Sequence, residues 1–303
     1  MENELVSRED PANTQQLAAR LISAVCGYGP VAVAFSGGVD SAVVAKAAVE
    51  AFGSESVAVT AVSPSLAQTE LQTARSEAKL IGIRHIEIHT NEFERPEYQA
   101  NAGNRCFFCK DTLYSLTASK LTELGVSCIV NGANVDDLGD HRPGTQAATD
   151  HNVRSPLVEA GLNKAQVREL AAFWKLSVAE KPAAPCLSSR IAYGVEVTPE
   201  RVGRVERAEA LLKSLTGIAE LRVRNEANEL ARIEVPVEEI PRLVQPNLRE
   251  HITAEFLSFG FRRVTVDLAG FRSGSLNDAL PVVSLGLDGH NSRKFLPVDR
   301  PFS

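Results

Sequence analysis

The clearest potential for chemistry lies in a six-residue segment, SGGVDS, at residues 36–41. Two adjacent glycines let backbone N–H groups approach a ligand closely, and the serine hydroxyls add donors, so the segment favours phosphate oxygens. The carboxylate of Asp40 would repel a phosphate unless a metal ion lay between them, which makes Asp40 a candidate Mg²⁺ ligand. The segment has neither the lysine of a Walker loop nor the spacing of the dinucleotide-binding fingerprint. We therefore predict a phosphate loop of another type, with a plain glycine turn as the alternative.

Two cysteines form a C-x-x-C pair, Cys106 and Cys109, between Arg105 and Lys110. The two positive charges would stabilise thiolates. Such a pair fits a redox couple, half of a zinc site or two ligands of an iron–sulfur cluster. Zinc would need four protein ligands, and the sequence has no second C-x-x-C. A purely structural pair on the first turn of a helix is the alternative.

A third candidate cysteine, Cys186, follows a stretch with two prolines, KPAAPC, that favours a stiff and extended backbone. Ser188, Ser189 and Arg190 come directly after it. Hydroxyls and a guanidinium beside a thiol stabilise the thiolate and can hold an anion there. A core cysteine in a hinge between two domains is the alternative.

The elements that must position these residues have the pattern of a parallel sheet. Short apolar runs at 31–35, 56–62, 85–90 and 127–131 predict strands, and a helical spacing of apolar residues follows the first of them. We predict an α/β fold with a doubly wound parallel sheet, in which ligands bind at the carboxyl ends of the strands. The backbone of Ala61, at the end of the second strand, would then contact adenine.

The fourth predicted strand ends in a loop that is rich in acidic and amide groups. At the same edge of the sheet as the phosphate loop, these groups would bind Mg²⁺ or hydrogen bond to ribose. A solvated acidic loop is the alternative. The residues concerned are Gly132, Asn134, Asp136, Asp137 and Asp140.

The pattern changes beyond Gly194, where a helix and alternating strands predict a smaller C-terminal α+β domain. We place a mobile N-terminus at 1–13, the nucleotide domain at 14–185, a smaller substrate domain at 186–279 and an irregular tail at 280–303. Arg222, Arg224 and Arg232 lie on or near one alternation set of two strands. Arginines there are solvated or bind a phosphate.

Composition limits the possible partners. The chain has 303 residues, a net charge of −6 and five cysteines, and its pI is near 5.6. The acidic balance argues against a nucleic-acid partner. No window is apolar for long enough to span a bilayer, and the N-terminus has no signal-peptide pattern. We expect a cytoplasmic homo-oligomer without a membrane partner, in which an odd number of cysteines disfavours a disulfide framework.

The segment 36–41 matches the PP-loop of ATP pyrophosphatases, which cut ATP between its α- and β-phosphates and adenylate a carboxylate or carbonyl oxygen. Further segments carry a wider resemblance: NRCFFCK, GANVDDLGDHRPG, APCLSSRIAYG, LRVR with LARIEV, and DLAGFRSGSLN. Together with the PP-loop they make the chain resemble the LarE family of ATP-dependent sulfur transferases. In that family ATP adenylates a carboxylate of a pyridinium carboxylic acid mononucleotide and pyrophosphate leaves. Sulfur then displaces AMP, which gives a thiocarboxylate for the nickel-pincer nucleotide cofactor.

The resemblance implies roles for the residues above. The pyrophosphate and Mg²⁺ would be held by Ser36, Gly37, Gly38, Asp40 and Ser41. The substrate phosphate would be surrounded by Ser188, Ser189, Arg190, Arg222, Arg224 and Arg232. Cys186 matches the cysteine that family members with a single cysteine sacrifice, ending as dehydroalanine.

The additional Cys106 and Cys109 make the chain similar to the three-cysteine branch of that family. In that branch the cysteines hold a [4Fe–4S] cluster whose open iron can carry an extra sulfide. The resemblance therefore implies that Cys106, Cys109 and Cys186 ligate such a cluster and take part in catalysis, together with a sulfide source.

Three other functions fit part of the pattern. A tRNA 2-thiolation enzyme also combines this loop with cysteines, but the acidic net charge argues against tRNA. An ATP-dependent amide ligase would use the same loop. A sensor that binds ATP without chemistry would not need the reactive arrangement at Cys186.

Overall fold

The structure is a computed structural model, which describes residues 11–139 and 143–272. Our predictions for residues 1–10, for Asp140 and for the tail from residue 280 lie outside these ranges. No helix in the described ranges is long and apolar enough to cross a membrane.

The N-terminal half alternates helices with short strands. The first helix begins at Pro11, so residues 11–13, which we had assigned to a mobile N-terminus, are helical. In chain order the elements are α1 (Pro11–Cys26), β1 (Val31–Ala34), α2 (Val39–Phe52), β2 (Val57–Val62), α3 (Gln68–Ile81), β3 (Arg84–His89), α4 (Pro96–Gln99), α5 (Arg105–Ala118), α6 (Leu121–Leu124), β4 (Cys128–Val130), α7 (Pro143–Asp150), α8 (Pro156–Glu159) and α9 (Lys164–Phe173).

The four strands form one parallel sheet in the order β3-β2-β1-β4, which confirms the predicted fold class. The central strand β1 pairs with β2 on one side and β4 on the other; Ala32 is aligned with both Val57 and Ile129. Loops that follow β1, β2 and β4 therefore leave the sheet at the same edge. The strand order reverses between β1 and β4, and this is the place where doubly wound sheets bind their ligands.

The inner strands β1 and β2 and the strand β4 are covered on both faces, which explains why their sequences are mostly apolar instead of alternating. The edge strand β3, RHIEIH, is less buried and mixes polar and apolar residues. Val31 and Val33 of β1 pack with α1, α2 and α9, whereas Ala32, which points to the other face, packs with α5 and α7. Each fully buried large aliphatic side chain contributes about 1.5–3 kcal/mol to stability. This two-sided core fixes the strand ends from which the loops of the site extend.

The C-terminal half is the smaller α+β unit that we expected. It contains α10 (Pro199–Thr216), β5 (Arg222–Glu226), β6 (Leu230–Glu234), α11 (Ile240–Leu243), α12 (Pro246–Ser258) and β7 (Arg263–Val266). Its sheet has the order β5-β6-β7, antiparallel between β5 and β6 and parallel between β6 and β7. Thr198 caps α10 by accepting a hydrogen bond of 3.2 Å from the backbone N–H of Arg201.

The core of this half includes side chains from both halves of the chain. Phe93 and Tyr98, which follow β3, pack in the same cluster as Leu187, Ile191 and the apolar faces of α10 and α12. The segment before α10 is thus joined to the C-terminal sheet. The boundary at residue 186 stays a prediction.

Gly132, in the loop after β4, lies against the backbone of the loop after β1. A Cβ atom on Gly132 would be 2.9 Å from the backbone nitrogen of Ser41 and 3.0 Å from the carbonyl carbon of Asp40. Backbone atoms cannot rotate away as a flexible side chain can. Only glycine therefore permits the two loops to approach this closely.

We predict that Gly132→Ala lowers the free energy of unfolding by roughly 1–3 kcal/mol, because the added methyl group overpacks two backbone segments. Urea denaturation of the full chain measures this. Gly203→Ala is the matched control: Gly203 lies within α10 and an added Cβ would have nothing within 4 Å. Since alanine favours helix over glycine by about 1 kcal/mol, that variant should be as stable as the parent or more so. Equal losses in both variants would contradict the interpretation.

Candidate functional site

The PP-loop connects the end of β1 to the start of α2, and its serines hold it in a closed shape. The Ser41 hydroxyl donates to the Gly38 carbonyl at 3.0 Å and accepts from the Ser36 N–H at 3.3 Å. The Ser36 hydroxyl accepts from the Gly38 N–H at 3.3 Å. The backbone of this turn and the first turn of α2 therefore combine in one concavity, as a phosphate site requires.

Gly37 is required by the conformation of this loop. Its φ of 68° lies in the left-handed region, and an added Cβ would be 2.8 Å from the Cα of Ala74 on α3. Both conditions favour glycine. The packing of α3 against the loop thus depends on the residue type at position 37.

Asp40, the predicted Mg²⁺ ligand, stands in the first turn of α2 with its carboxylate facing two side chains from elsewhere in the chain. Its Oδ1 accepts a hydrogen bond of 3.2 Å from the amide of Asn134, and its Oδ2 forms an ion pair with the ammonium of Lys164. The structure therefore brings Asp40 and Asn134 together, as the sequence predicted. Lys164 was not predicted, because it is far away in sequence and follows a helix cap of ordinary appearance.

A second lysine, Lys181, contacts the same loop from another direction. Its ammonium forms an ion pair of 2.7 Å with Glu70 of α3 and donates to the Gly37 carbonyl at 3.3 Å. Arg168 of α9 holds the Lys181 carbonyl at 3.2 Å. The PP-loop lacks a lysine of its own, and tertiary structure supplies two beside it. Lys181 is the lysine of KPAAPC, and its place before these prolines did not indicate a contact with the PP-loop.

The acidic loop after β4 forms hydrogen bonds within itself and to the start of α9. The Asp136 carboxylate accepts a hydrogen bond of 2.9 Å from the backbone N–H of Lys164, and the Asp137 carboxylate accepts one of 3.0 Å from Asn134. These carboxylates thus hold the loop and the start of α9. Ala61, predicted to contact adenine, is half-buried at the carboxyl end of β2, at this edge of the sheet.

The three candidate cysteines lie in one neighbourhood. Cys106 and Cys109 are on the first turn of α5, and Cys186 directly precedes a short 3₁₀ turn, Leu187–Arg190. Burial raises the pKa of Cys109 to about 12, and the charges of Glu92 and Cys186 add to this shift. Loss of surrounding water also raises the pKa of Cys106, with a further contribution from Cys186.

These shifts correct one expectation from the sequence. Arg105 and Lys110 do favour the thiolate of Cys106, as predicted, but desolvation of the thiol outweighs them. At neutral pH the raised pKa keeps the thiols of Cys106 and Cys109 protonated. A bound metal would change this, because a coordinating thiol is deprotonated.

We call residues 186–190 the Cys186 turn. Hydrogen bonds connect it to the edge of the parallel sheet at which the strands have their carboxyl ends, which we call the nucleotide edge. The backbone N–H of Leu187 donates to the carbonyl of Ser65, in the loop after β2, at 2.8 Å. The Ser188 hydroxyl is 2.8 Å from the hydroxyl of buried Tyr98. Cys186 itself is exposed. A solvent-accessible thiol therefore lies on a turn that is fixed on both sides; neither Ser65 nor Tyr98 was predicted.

Arg190 lies behind this turn, and all three of its guanidinium nitrogens form hydrogen bonds within the protein. Nε donates to Glu209 at 3.0 Å, while Nη1 donates to the carbonyls of Pro185 at 2.6 Å and Cys186 at 3.1 Å. Both members of the Arg190–Glu209 pair are buried. This geometry favours a positioning role for Arg190 over the direct anion contact that the sequence suggested.

The arginines of the C-terminal sheet differ in their partners. Arg224 is paired with Glu234 at 2.8 Å and donates to the carbonyl of Ser189 at 3.0 Å. Arg232, aligned with Arg224 on β6, pairs with Glu226, Glu234 and Asp267. The structure thus brings Arg224 to the Cys186 turn, whereas Arg232 sits in a network of carboxylates.

Arg222 has the environment of an anion-binding residue. It donates to the Leu221 carbonyl at 2.7 Å and lies over the ring of Phe271, 5.1 Å from its centroid. Burial lowers the pKa of Arg222, and repulsion from Arg190 and Arg224 lowers it further. A phosphate at this position would relieve that repulsion.

Comparison with known proteins identifies the family of this chain. The family model described as NAD synthase matches residues 16–107, which include the PP-loop. The chain is 34% identical over 268 residues to the pyridinium-3,5-bisthiocarboxylic acid mononucleotide synthase of Lactiplantibacillus plantarum, covering 88% of this chain and 96% of that protein. The chain belongs to this synthase family. The resemblance to the LarE family is thereby confirmed.

Two relatives of unassigned function extend the comparison across distant organisms. An uncharacterized protein of Synechocystis sp. is 47% identical over 248 residues, which are 82% of this chain and 92% of that protein. Another, from Methanocaldococcus jannaschii, is 26% identical over 243 residues, or 80% and 91% of the two chains. Membership of the synthase family makes the protein an ATP-dependent enzyme and disfavours the sensor.

The cysteine environments predict an order of chemical reactivity. Since the thiolate is the nucleophile, Cys109 should react with iodoacetamide far more slowly at pH 8 than exposed Cys186 in iron-free protein. Below a pKa of about 12 the thiolate fraction of Cys109 rises with pH. Its labelling rate should therefore rise about tenfold per pH unit between pH 8 and 10.

Peptide mass spectrometry of quenched time courses measures these rates. Cys26 is exposed and lies outside the site, at the end of α1. It provides an internal reference for accessible thiols. If Cys109 were modified as fast as Cys26 at pH 8, the assigned protonation state would be wrong.

Proposed function

We propose that this protein is an ATP-dependent sulfur transferase that converts a carboxylate of a pyridinium carboxylic acid mononucleotide into a thiocarboxylate for the nickel-pincer nucleotide cofactor. The name of the Lactiplantibacillus plantarum relative supports the substrate class. The observation that carries the proposal is the hydrogen bond from the Leu187 N–H to Ser65, which joins the Cys186 turn to the nucleotide edge of the sheet. An activated carboxylate at that edge would be within reach of a sulfur nucleophile.

The first step activates the substrate. A carboxylate oxygen attacks the α-phosphorus of ATP, the bond between the α-phosphorus and the bridging oxygen breaks, and pyrophosphate leaves with the bond's electron pair. The N–H groups and hydroxyls of the PP-loop would bind the departing phosphates. The residues proposed for this site are Ser36, Gly37, Gly38 and Ser41 for the phosphates, Asp40 for Mg²⁺, and Ala61, Gly132, Asn134 and Asp136 for the rest of the nucleotide.

The second step transfers sulfur. The sulfur nucleophile attacks the acyl carbon, and the bond from that carbon to the AMP oxygen breaks, so AMP leaves and a carbon–sulfur bond replaces a carbon–oxygen bond. Adenylation is necessary because a carboxylate oxygen is a poor leaving group, whereas AMP is a good one. If sulfide is the nucleophile, the thiocarboxylate forms directly. If the exposed thiol of Cys186 attacks instead, the resulting thioester releases the thiocarboxylate only when the Cβ–Sγ bond of Cys186 breaks with loss of the Cα proton, which leaves dehydroalanine. Arg190 fixes the turn of Cys186 through the carbonyls of Pro185 and Cys186.

The residues proposed to hold an iron–sulfur cluster are Cys106, Cys109 and Cys186. Within residues 11–139 and 143–272, no three histidine, cysteine, aspartate or glutamate side chains converge closely enough for one ion. The charge of Cys186 contributes to the raised pKa of both Cys106 and Cys109, so the three side chains are close to one another, which supports this arrangement. When bound, such a cluster supplies a place for a replaceable sulfide.

The substrate phosphate would bind on the C-terminal side of the Cys186 turn. Arg222 supports this role best, because neighbouring arginines repel its charge and its hydrogen bond goes to a backbone carbonyl. Arg224 borders the same place through its hydrogen bond to the Ser189 carbonyl. Ser189 borders the proposed phosphate site, and buried Ser188 would support it through its hydrogen bond to Tyr98. Arg232 would act through the Glu234 carboxylate, which it shares with Arg224.

The decisive experiment incubates the anaerobically reconstituted enzyme with Mg²⁺, ATP, sulfide and a pyridinium dicarboxylic acid mononucleotide. We expect pyrophosphate release that depends on the mononucleotide, and more than one thiocarboxylate per protein. Pyrophosphate is measured by a coupled assay and the product by mass spectrometry. No pyrophosphate with any pyridinium carboxylate would contradict the proposed function.

Cys106→Ala tests the source of sulfur, with Cys26→Ala as the matched control outside the site. We expect Cys106→Ala to lose iron and acid-labile sulfide and to stop after one turnover or fewer, while Cys26→Ala keeps both properties. Repeated turnover by iron-free protein would contradict the cluster. A single turnover by the parent enzyme, with loss of one H₂S from Cys186, would assign the sulfur to that residue.

A further inference from the structure

Tyr98 and Ser188 form a buried pair of hydroxyl groups beside the candidate cysteines. Their oxygens are 2.8 Å apart, and the two side chains are 1% and 0% exposed. The pair carries two hydroxyl hydrogens, and the bond that joins the oxygens uses only one of them. Among the described residues neither oxygen has a second hydrogen-bond partner. One buried O–H donor is therefore left for an acceptor that the protein chain does not supply, and such a donor is costly to bury unused.

This donor lies near two of the three candidate cysteines. The helix α4, which carries Tyr98, packs against α5, and Tyr98 and Cys109 belong to the same apolar cluster. Burial raises the pKa of Tyr98, and the charges of Cys186 and Cys109 raise it further. The phenol therefore keeps its proton and stays a hydrogen-bond donor close to both sulfurs.

Tyr98, and not Ser188, holds the hydrogen that is left over. The Ser188 hydroxyl lowers the pKa of Tyr98, which is the effect of a hydroxyl that donates to the phenol oxygen. Ser188 thus uses its hydrogen within the pair, and the phenol hydrogen remains. A phenol O–H is also more acidic than an aliphatic O–H, so it is the better donor to a weak acceptor such as sulfur.

We propose that the Tyr98 hydroxyl donates a hydrogen bond to a sulfur atom of the iron–sulfur cluster that Cys106, Cys109 and Cys186 would hold. A hydrogen bond to sulfur stabilises negative charge on the cluster, so it favours the reduced state and raises the reduction potential. Sulfide is an acceptor that the chain itself lacks, and it would satisfy the remaining donor of the pair. This inference rests on the proposed function, because it requires the cluster.

Glu92 has the opposite electrostatic effect at the same place. It begins the 3₁₀ turn Glu92–Glu94 after β3, is 1% exposed, and its Oε2 has no hydrogen-bond partner among the described residues. Its charge contributes to the raised pKa of Cys109. A negative charge beside the cluster disfavours the reduced state. Removing Glu92 and removing the Tyr98 hydroxyl should therefore shift the reduction potential in opposite directions.

The experiment measures the reduction potential of the cluster in the anaerobically reconstituted full chain, by a redox titration followed with electron paramagnetic resonance. For Tyr98→Phe we expect a more negative potential than in the parent, with unchanged iron and acid-labile sulfide. Phenylalanine keeps the ring that lies 5.0 Å from the ring of Phe93. Electron–nuclear double resonance of reduced protein in D₂O should show an exchangeable deuterium coupling in the parent that Tyr98→Phe loses.

Three further variants make the result specific. Tyr28→Phe removes a hydroxyl that is bound to Glu159, outside the site, and should change neither the potential nor the coupling. Glu92→Gln should raise the potential, which shows that the measurement detects a change beside Cys109. Ser188→Ala leaves the phenol hydrogen in place, so it should lower the potential by less than Tyr98→Phe does. Thermal unfolding of each variant checks that the fold is retained.

Two results would overturn the inference alone. An unchanged potential and deuterium coupling in cluster-loaded Tyr98→Phe would show that the hydroxyl has another acceptor, and weaker binding of the mononucleotide by that variant would assign it to the substrate phosphate. A larger shift in Ser188→Ala than in Tyr98→Phe would make the serine the donor. A parent protein that assembles no cluster is a different outcome, which would refute the iron–sulfur part of the proposed function and the inference with it.

Discussion

The close contact between two loops, at Gly132 and the start of α2, is the constraint on which the nucleotide side of the site depends. Because Gly132 has no side chain, the loop after β4 can lie directly on the backbone of Asp40 and Ser41. This contact brings Asn134 within 3.2 Å of Asp40. It also brings Asp136 to the first residue of α9, and thereby Lys164 to the phosphate loop. A larger residue at position 132 would separate these groups.

The sulfur side of the site depends on a few hydrogen bonds between the two halves of the chain. The Leu187 N–H binds Ser65 at 2.8 Å, and the first residue of α3, Gln68, donates its backbone N–H to Glu206 of α10 at 2.8 Å. The buried Arg190–Glu209 pair fixes the Cys186 turn from behind. Removing one member of a buried pair costs about 3–5 kcal/mol, because the other charge loses its partner. The position of the thiol therefore depends on charges that do not react.

Most cations of the site have carboxylate partners within the protein. Lys164 is paired with Asp40, Lys181 with Glu70 and Arg224 with Glu234. These carboxylates compensate the positive charges that phosphate binding requires, so the site is arranged before a ligand arrives. Arg222 differs, since it is repelled by neighbouring arginines and stacks on Phe271. If a doubly charged phosphate binds here, as we propose, an arranged cationic site of this kind needs no large rearrangement.

The sequence by itself determined the local features: strand–loop–helix at the PP-loop, the strands of the parallel sheet and the identity of the three candidate cysteines. Each of these depends on residue types within a few positions, where periodicity, glycine and capping chemistry act. Only the tertiary structure decided that Lys164 and Lys181 reach the PP-loop. The same holds for the position of Arg190 behind the turn that carries Cys186, and for the burial that keeps Cys109 protonated. Ion pairing and desolvation depend on distances between segments more than a hundred residues apart, as with Asp40 and Lys164. Local sequence patterns do not encode those distances.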